Sequence, residues 1–151
     1  MMKLTTFALA MTTLAAPAFA ESHMAAPTGD VASGEEQFGR QCVACHVVQD
    51  PESGEVLAGR NAKVGPNLFG LAGKAPAHVE GFNYGDALVA YGETGAVWNE
   101  ETFVGYVQNP TAFLRDALDD KRARSKMAYQ VRDAGQAADL YAYLASFGPA
   151  E

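Results

Sequence analysis

Cys42, Cys45 and His46 lie in the run Gln41-Cys-Val-Ala-Cys-His46, and the chain has no other cysteine. C-x-x-C-H is the attachment signature of a c-type haem. Two thiols at that spacing can add across the two vinyl groups of one porphyrin. The adjacent imidazole can then turn to the iron as the proximal ligand. One motif in 151 residues implies one covalently bound haem c. The same letters also fit a redox-active dithiol or half of a zinc site. A second pair of zinc ligands is missing, however, and no βαβ pattern surrounds the motif as a thioredoxin-like site requires.

An iron held there needs a second axial ligand or an open position, and that choice separates an electron carrier from an enzyme. Beyond residue 20 the only methionines are Met24 and Met127. Met127 lies in Ser125-Lys-Met-Ala-Tyr129, between two expected helices. Its thioether could close over the second haem face, or it could fill a gap in the core. The other imidazoles beyond residue 20, His23 and His78, read as surface residues.

The N-terminus indicates where this chemistry occurs. Lys3, the mostly apolar run 4–16 and Ala18-Phe19-Ala20 read as a secretory signal peptide cleaved near Ala20. The apolar run is too short for a membrane span, so a periplasmic protein is expected and not an integral membrane one. The expected organisation is a signal peptide over 1–20, a flexible lead-in over 21–31 and one domain over 32–148. Ten Lys and Arg against eighteen Asp and Glu remain beyond residue 20, a net charge of −8. That excess of acid argues against nucleic acid as a partner. Lys121, Arg122, Arg124, Lys126 and Arg132 form a run with no acid among them, which suggests a basic patch on an acidic molecule.

The elements that must position these residues are helical. Ser33-Gly-Glu-Glu36 has the form of a capping box and starts the first helix at Ser33. Gly34 on that helix would let another helix approach closely. The stretch 47–66, punctuated by Pro51, Gly54, Gly59, Gly65 and Pro66, reads as turns. A short helix is expected over 86–91, followed by a turn over 92–96. Asn99 can cap the next helix, with Glu100 and Glu101 at its positive end and Phe103, Tyr106 and Val107 as its apolar stripe. Asn109-Pro110 ends that helix and opens another carrying Phe113, Leu114 and Leu118. The last helix begins at Asp133, with Gln136 completing a second capping-box pattern, and Gly148-Pro149 stops it. No strand pattern stands out. The reading is an all-α fold with long loops, which are uncommon in an ordinary domain but reasonable around a haem.

From residue 29 to residue 147 the chain resembles a class I c-type cytochrome, most of all the bacterial cytochrome c2 group. The haem motif near the mature N-terminus has the class I placement. Lys63-Val-Gly-Pro-Asn-Leu-Phe-Gly70 resembles the segment below the proximal histidine. Gly81-Phe-Asn-Tyr-Gly-Asp-Ala87 resembles the propionate-side loop. Trp98-Asn-Glu-Glu-Thr102, Tyr106 and Asn109-Pro110 resemble the helix leading to the methionine loop. Lys126-Met127 resembles the ligand itself, and Leu140-Tyr-Ala-Tyr-Leu144 the C-terminal helix.

The resemblance implies the class I cytochrome c fold wrapped around one covalent haem, with His46 and Met127 as axial ligands. It implies that the Pro66 carbonyl receives the His46 ring N–H and that Tyr106 bonds near the Met127 sulfur. Tyr84, Trp98 and Ser125 would serve the propionates, and Gly34, Phe38, Leu140 and Tyr143 would form a helix crossing. Trp98 and Tyr106 also suit ordinary aromatic core packing. Lys74 stands where the family usually has arginine, and Leu88 where many members have asparagine. The implied function is a monomeric periplasmic one-electron carrier. It would take electrons from a cytochrome bc complex and pass them to a photosynthetic reaction centre or a terminal oxidase. The competing readings are a five-coordinate haem enzyme or gas sensor with peroxidase-like activity, and a non-haem thiol redox protein.

Overall fold

The computed structural model describes residues 25–148. The expected signal peptide, His23, Met24 and Pro149 lie outside them. Along the chain run α1 (Val31–Gln41), β1 (Val47–Gln49), β2 (Val56–Gly59), α2 (Asp86–Glu93), α3 (Glu100–Gln108), α4 (Pro110–Ala117) and α5 (Ala134–Ala145).

The first helix starts two residues before the expected position. Its cap is Asp30, whose carboxylate accepts the Ser33 amide at 2.7 Å. That bond also holds the Asp30 carboxyl below its usual pKa. Ser33 is therefore the third helical residue and not the cap. Glu36 is released from a capping box and pairs with Arg40 one turn on, at 2.9 Å. The expected lead-in over 21–31 is likewise corrected at its end. Thr28 donates its amide and hydroxyl to the Glu100 carboxylate, and the Asp30 amide donates to Asp139 Oδ1 at 2.8 Å. Residues 28–31 thus belong to the packed domain.

The stretch read as turns contains an antiparallel hairpin. Val47 pairs with Gly59, Val48 with Ala58 and Gln49 with Val56, with an irregularity between Val48 and Gln49. Val47 and Val48 are both buried, so their side chains do not alternate in and out. Three residues of that kind leave no period-two signal to read. Asp50 organises the connection, its side chain accepting the Glu52 amide at 2.8 Å.

The later helices follow their local signals closely. Asn99 and Thr102 form a reciprocal capping box on α3. Asn109 accepts the Ala112 amide, and Pro110 occupies the first turn of α4, where a missing N–H costs nothing. α2 runs two residues beyond the expected end, to Glu93, before its turn. Asp133 caps α5 by accepting the Gln136 amide at 2.8 Å. The Gln136 side chain does not return the bond in a box; its Oε1 accepts from Gln41 on α1 at 3.2 Å.

α1 crosses α5 at Gly34. A Cβ added there would collide with the Asp139 carbonyl oxygen and lie 2.7 Å from Tyr143 Cβ. One turn on, the Phe38 and Tyr143 rings are 5.7 Å apart. α3 packs on the same helix through Phe103 and Tyr141, whose rings are 5.6 Å apart. Phe38, Val48, Leu114, Leu140, Tyr141 and Leu144 are almost fully enclosed.

The crossing yields a paired test. Gly34→Ala is expected to cost about 3 kcal/mol, because the atoms it meets are backbone and cannot swing aside. Gly39→Ala lies on the same helix and meets nothing within 4 Å. It should gain about 0.5–1 kcal/mol from helix propensity. Denaturant midpoints of the two variants check this, and equal effects would contradict the close approach.

Candidate haem site

The motif hangs from the C-terminus of α1. Cys42 caps the helix and donates its amide to Phe38 at 2.9 Å. Its carbonyl then accepts the amides of Cys45 at 3.0 Å and His46 at 2.9 Å. One tight turn therefore carries both thiols and the imidazole. Cys42 is partly buried and Cys45 exposed, and the two do not form a disulfide.

This placement opposes thiol redox chemistry. A helix C-terminus carries the negative end of the dipole, whereas reactive C-x-x-C thiols gain their low pKa at the positive end. Burial, with Cys45 beside it, pushes the Cys42 thiol up to about 12. Such a thiol stays protonated near neutral pH and is a poor nucleophile. Among the described residues no three His, Cys, Asp or Glu side chains are grouped as metal ligands.

The imidazole is prepared differently. His46 Nδ1 lies 3.0 Å from the Pro66 carbonyl oxygen. A carbonyl only accepts, so Nδ1 carries the proton and Nε2 keeps its lone pair. Burial pulls the ring below its usual pKa against the opposing effect of that carbonyl, which favours the neutral form a metal requires. Gly65 lies against the ring: an added Cβ would fall 2.6 Å from Nδ1. The Gly65 amide donates to the Cys45 carbonyl at 2.7 Å, closing this segment onto the motif. Asn67 secures it from the hairpin side, exchanging bonds with the Gln49 backbone at 2.9 and 2.6 Å.

A second group forms around the loop after α4. The Tyr106 hydroxyl lies 2.9 Å from Ser125 Oγ, and that oxygen accepts the Met127 amide at 3.1 Å. Tyr106 therefore reaches the methionine through Ser125, where the resemblance implied a bond near the sulfur. The Ser125 amide donates to Thr111 Oγ1 at 3.2 Å, tying the loop to α4 as well. Met127 is partly buried and packs on the same hydrophobic cluster as Cys42, Leu68 and Leu88.

Trp98 and Tyr106 are both buried, with rings 5.2 Å apart. Trp98 is also held by its backbone: its amide donates to Lys74 O at 2.9 Å, and its carbonyl accepts from Gly73 and Tyr141. The Tyr84 hydroxyl accepts the Val79 amide at 3.4 Å.

These residues suit a haem on the chemistry of the donor set. A neutral imidazole has a fixed tautomer, two thiols share its turn, and a thioether borders the same apolar cluster. The comparisons bear on the same point. No protein-family model matches the chain. A cytochrome c2 of Rhodovulum adriaticum is 54% identical over 121 residues, covering 80% of this chain and 94% of that protein. A cytochrome c-551 of Roseobacter denitrificans is 46% identical over 138 residues, covering 91% and 90%. The solved structure of cytochrome c2 from Rhodobacter sphaeroides superposes with a TM-score of 0.75 at 41% identity, covering 79% of this chain and 96% of that one.

The chain belongs to the cytochrome c2 family. It has the class I cytochrome c fold, binds one covalent haem c and is an electron carrier, not an enzyme. Leu88, where many such cytochromes have asparagine, packs partly buried against the core.

Sequence reasoning gave no individual role to Gly65, Asn67 or Thr111. Gly65 reads in the sequence as turn punctuation and as part of the segment below the histidine, and its place beside Pro66 was a usable signal. Gly65→Ala is expected to displace the His46 ring and cost about 1–3 kcal/mol. The unfolding midpoint and the His46 ring proton shifts check this. Wild-type values in both would remove the close-approach argument.

Proposed function

We propose that this cytochrome is a soluble periplasmic carrier of single electrons whose haem iron is held between His46 and Met127. When bound, the haem supplies one iron centre that gains and loses an electron. The supporting observation is the chain of bonds from Tyr106 through Ser125 to the Met127 amide, which fixes a partly buried thioether in a loop. A loop tied to both α3 and α4 can hold its ligand similarly in two oxidation states. Methionine ligation and an apolar surround raise the potential. Cys42 and Cys45 would hold the haem covalently, and Pro66 would orient His46. Tyr84, Trp98 and Ser125 would serve the propionates.

Met127→Ala is the direct test. Covalent attachment through Cys42 and Cys45 should survive, the potential should fall, and the ferric iron should bind added imidazole readily. A methionine–iron charge-transfer band that persisted in this variant would overturn the ligation. A wild-type protein that is already high-spin and binds carbon monoxide readily would favour the five-coordinate alternative.

The partners proposed are a cytochrome bc complex as donor and a photosynthetic reaction centre or terminal oxidase as acceptor, met by a monomer. Lys121, Arg122, Arg124 and Arg132 are exposed. Asp120 lies 3.7 Å from Arg122 and offsets part of that charge. Arg124, whose guanidinium among the described residues donates to the neighbouring Ala123 carbonyl and faces no acid, is the better docking cation. Arg124→Glu should slow electron transfer to the acceptor at low salt, with the deficit shrinking as salt is added. Glu35→Lys, on the exposed face of α1, should change the rate little. Asp139 does not suit as a control because it accepts the Asp30 amide. Stopped-flow rates across ionic strength check the pair, and identical behaviour would end the polarised-docking reading.

A further inference from the structure

β1 and β2 form a two-stranded sheet whose two edges differ. On the β1 side, Val47 makes a parallel bridge to Asn67, and its carbonyl accepts the Leu68 amide at 2.9 Å. Gln49 gives its amide to Asn67 Oδ1, and its carbonyl accepts from Asn67 Nδ2. That edge is therefore covered. Among the described residues no strand covers the outer edge of β2.

The same bonds show which way β2 faces. Opposite residues of an antiparallel pair alternate between exchanging both backbone bonds and turning both outward. Val47 and Gln49 spend theirs away from β2, so their partners Gly59 and Val56 turn their own amides and carbonyls to the free side. The edge is open to solvent and apolar, with Val56 39% and Leu57 41% exposed. Edge strands are ordinarily protected by Lys, Pro or an inward charge, and Val56-Leu-Ala-Gly59 carries none of these.

The irregularity between Val48 and Gln49 leaves Val56 and Gly59 three positions apart. A regular strand, which repeats every two residues, does not match that spacing. A second copy run antiparallel matches it by identity: Val56 of one copy faces Gly59 of the other, and Gly59 faces Val56. The residues just outside, Glu55 and Arg60, then face each other twice across the axis. Both are exposed, and among the described residues neither is in an ion pair.

We infer that residues 55–60 are a self-recognition edge, through which two copies of this cytochrome pair β2 to β2 about a two-fold axis, with Glu55 of each opposite Arg60 of the other. An isologous contact of this kind closes at two copies. It is small, so the dimer is weak and half-formed only at about millimolar concentration. Dilute protein still meets its redox partners as a monomer. The edge also borders the cysteine turn: a Cβ added to Gly59 would lie 3.1 Å from the His46 carbonyl oxygen and 3.6 Å from Val43 Cγ1. The contact thus brings two cysteine turns to one interface.

The test uses the ferrous holoprotein at low ionic strength, with amide shifts and translational diffusion followed by NMR over a concentration series. Diffusion of the wild type should slow toward that of a dimer and no further. Shifts should move with concentration over 55–60, and amide exchange at Val56 and Gly59 should slow. Glu55→Arg and Arg60→Glu should each weaken self-association about ten-fold, because two attractions become two repulsions. An equal mixture of these two variants should associate as well as wild type, since every charge pair across the axis is again opposite. The double variant Glu55→Arg/Arg60→Glu should do so by itself. Wild-type diffusion and shifts that do not change with concentration would overturn the inference. So would concentration-dependent shifts confined to 121–132, growth beyond two copies, or a mixture that associates no better than its components.

Discussion

Gly34 removes the side chain that would keep α1 away from α5, and the approach it permits sets the position of much else. The two helices lie so close that the Asp139 carbonyl occupies the space of a Cβ. Phe38 then meets Tyr143, and the C-terminus of α1 is delivered to a fixed place. The cysteine turn follows directly from that terminus, because Cys42 is the last residue bonded into the helix. The crossing thus sets where the motif stands, while the Pro66 carbonyl sets the tautomer of its histidine. Side-chain packing at this density tolerates little volume change, so the crossing behaves as a single rigid unit.

The two proposed ligand residues are supported in contrasting ways. His46 sits in a turn closed by backbone bonds, with Gly65 and Pro66 laid against its ring. Met127 sits in a loop without regular structure, bonded through its side chains to α1, α3, α4 and the segment before α2. Backbone closure within a few residues is cheap in chain entropy, and it makes the histidine side nearly self-sufficient. Long-range side-chain ties hold the methionine side, so its stability depends on several elements being in place together. Under the proposed ligation that arrangement would suit a carrier, with His46 set by its own turn and Met127 by the whole fold.

The charge pattern acquires meaning only through these contacts. By sequence the five basic residues from Lys121 to Arg132 were equivalent. In the structure Lys126 donates to Asn83 and Arg122 faces Asp120, while Arg124, among the described residues, bonds a neighbouring carbonyl. A run of like charges is therefore divided into cations that hold the fold and cations that can meet a partner. The acidic residues divide in the same way, with Asp30 and Asp139 spent on the start of α1.

Local chemistry by itself determined a good deal of this protein. The Cys-x-x-Cys-His run pointed to haem attachment, because two thiols and an adjacent imidazole are set within five consecutive positions. Asn99, Asn109-Pro110 and Asp133 marked helix starts correctly, because a cap satisfies amides within its own first turn. The same locality explains the misreading at Ser33: Asp30 offers an equally local cap, and only the packing of Thr28 and Asp30 on Glu100 and Asp139 selects it. The hairpin was hidden because Val47 and Val48 are both buried, so its short first strand shows no alternation. Gly65 against His46, Ser125 between Tyr106 and Met127, and Lys126 on Asn83 were decided by tertiary structure alone. Each joins residues separated by many positions, and only the folded chain brings such groups within reach of a hydrogen bond.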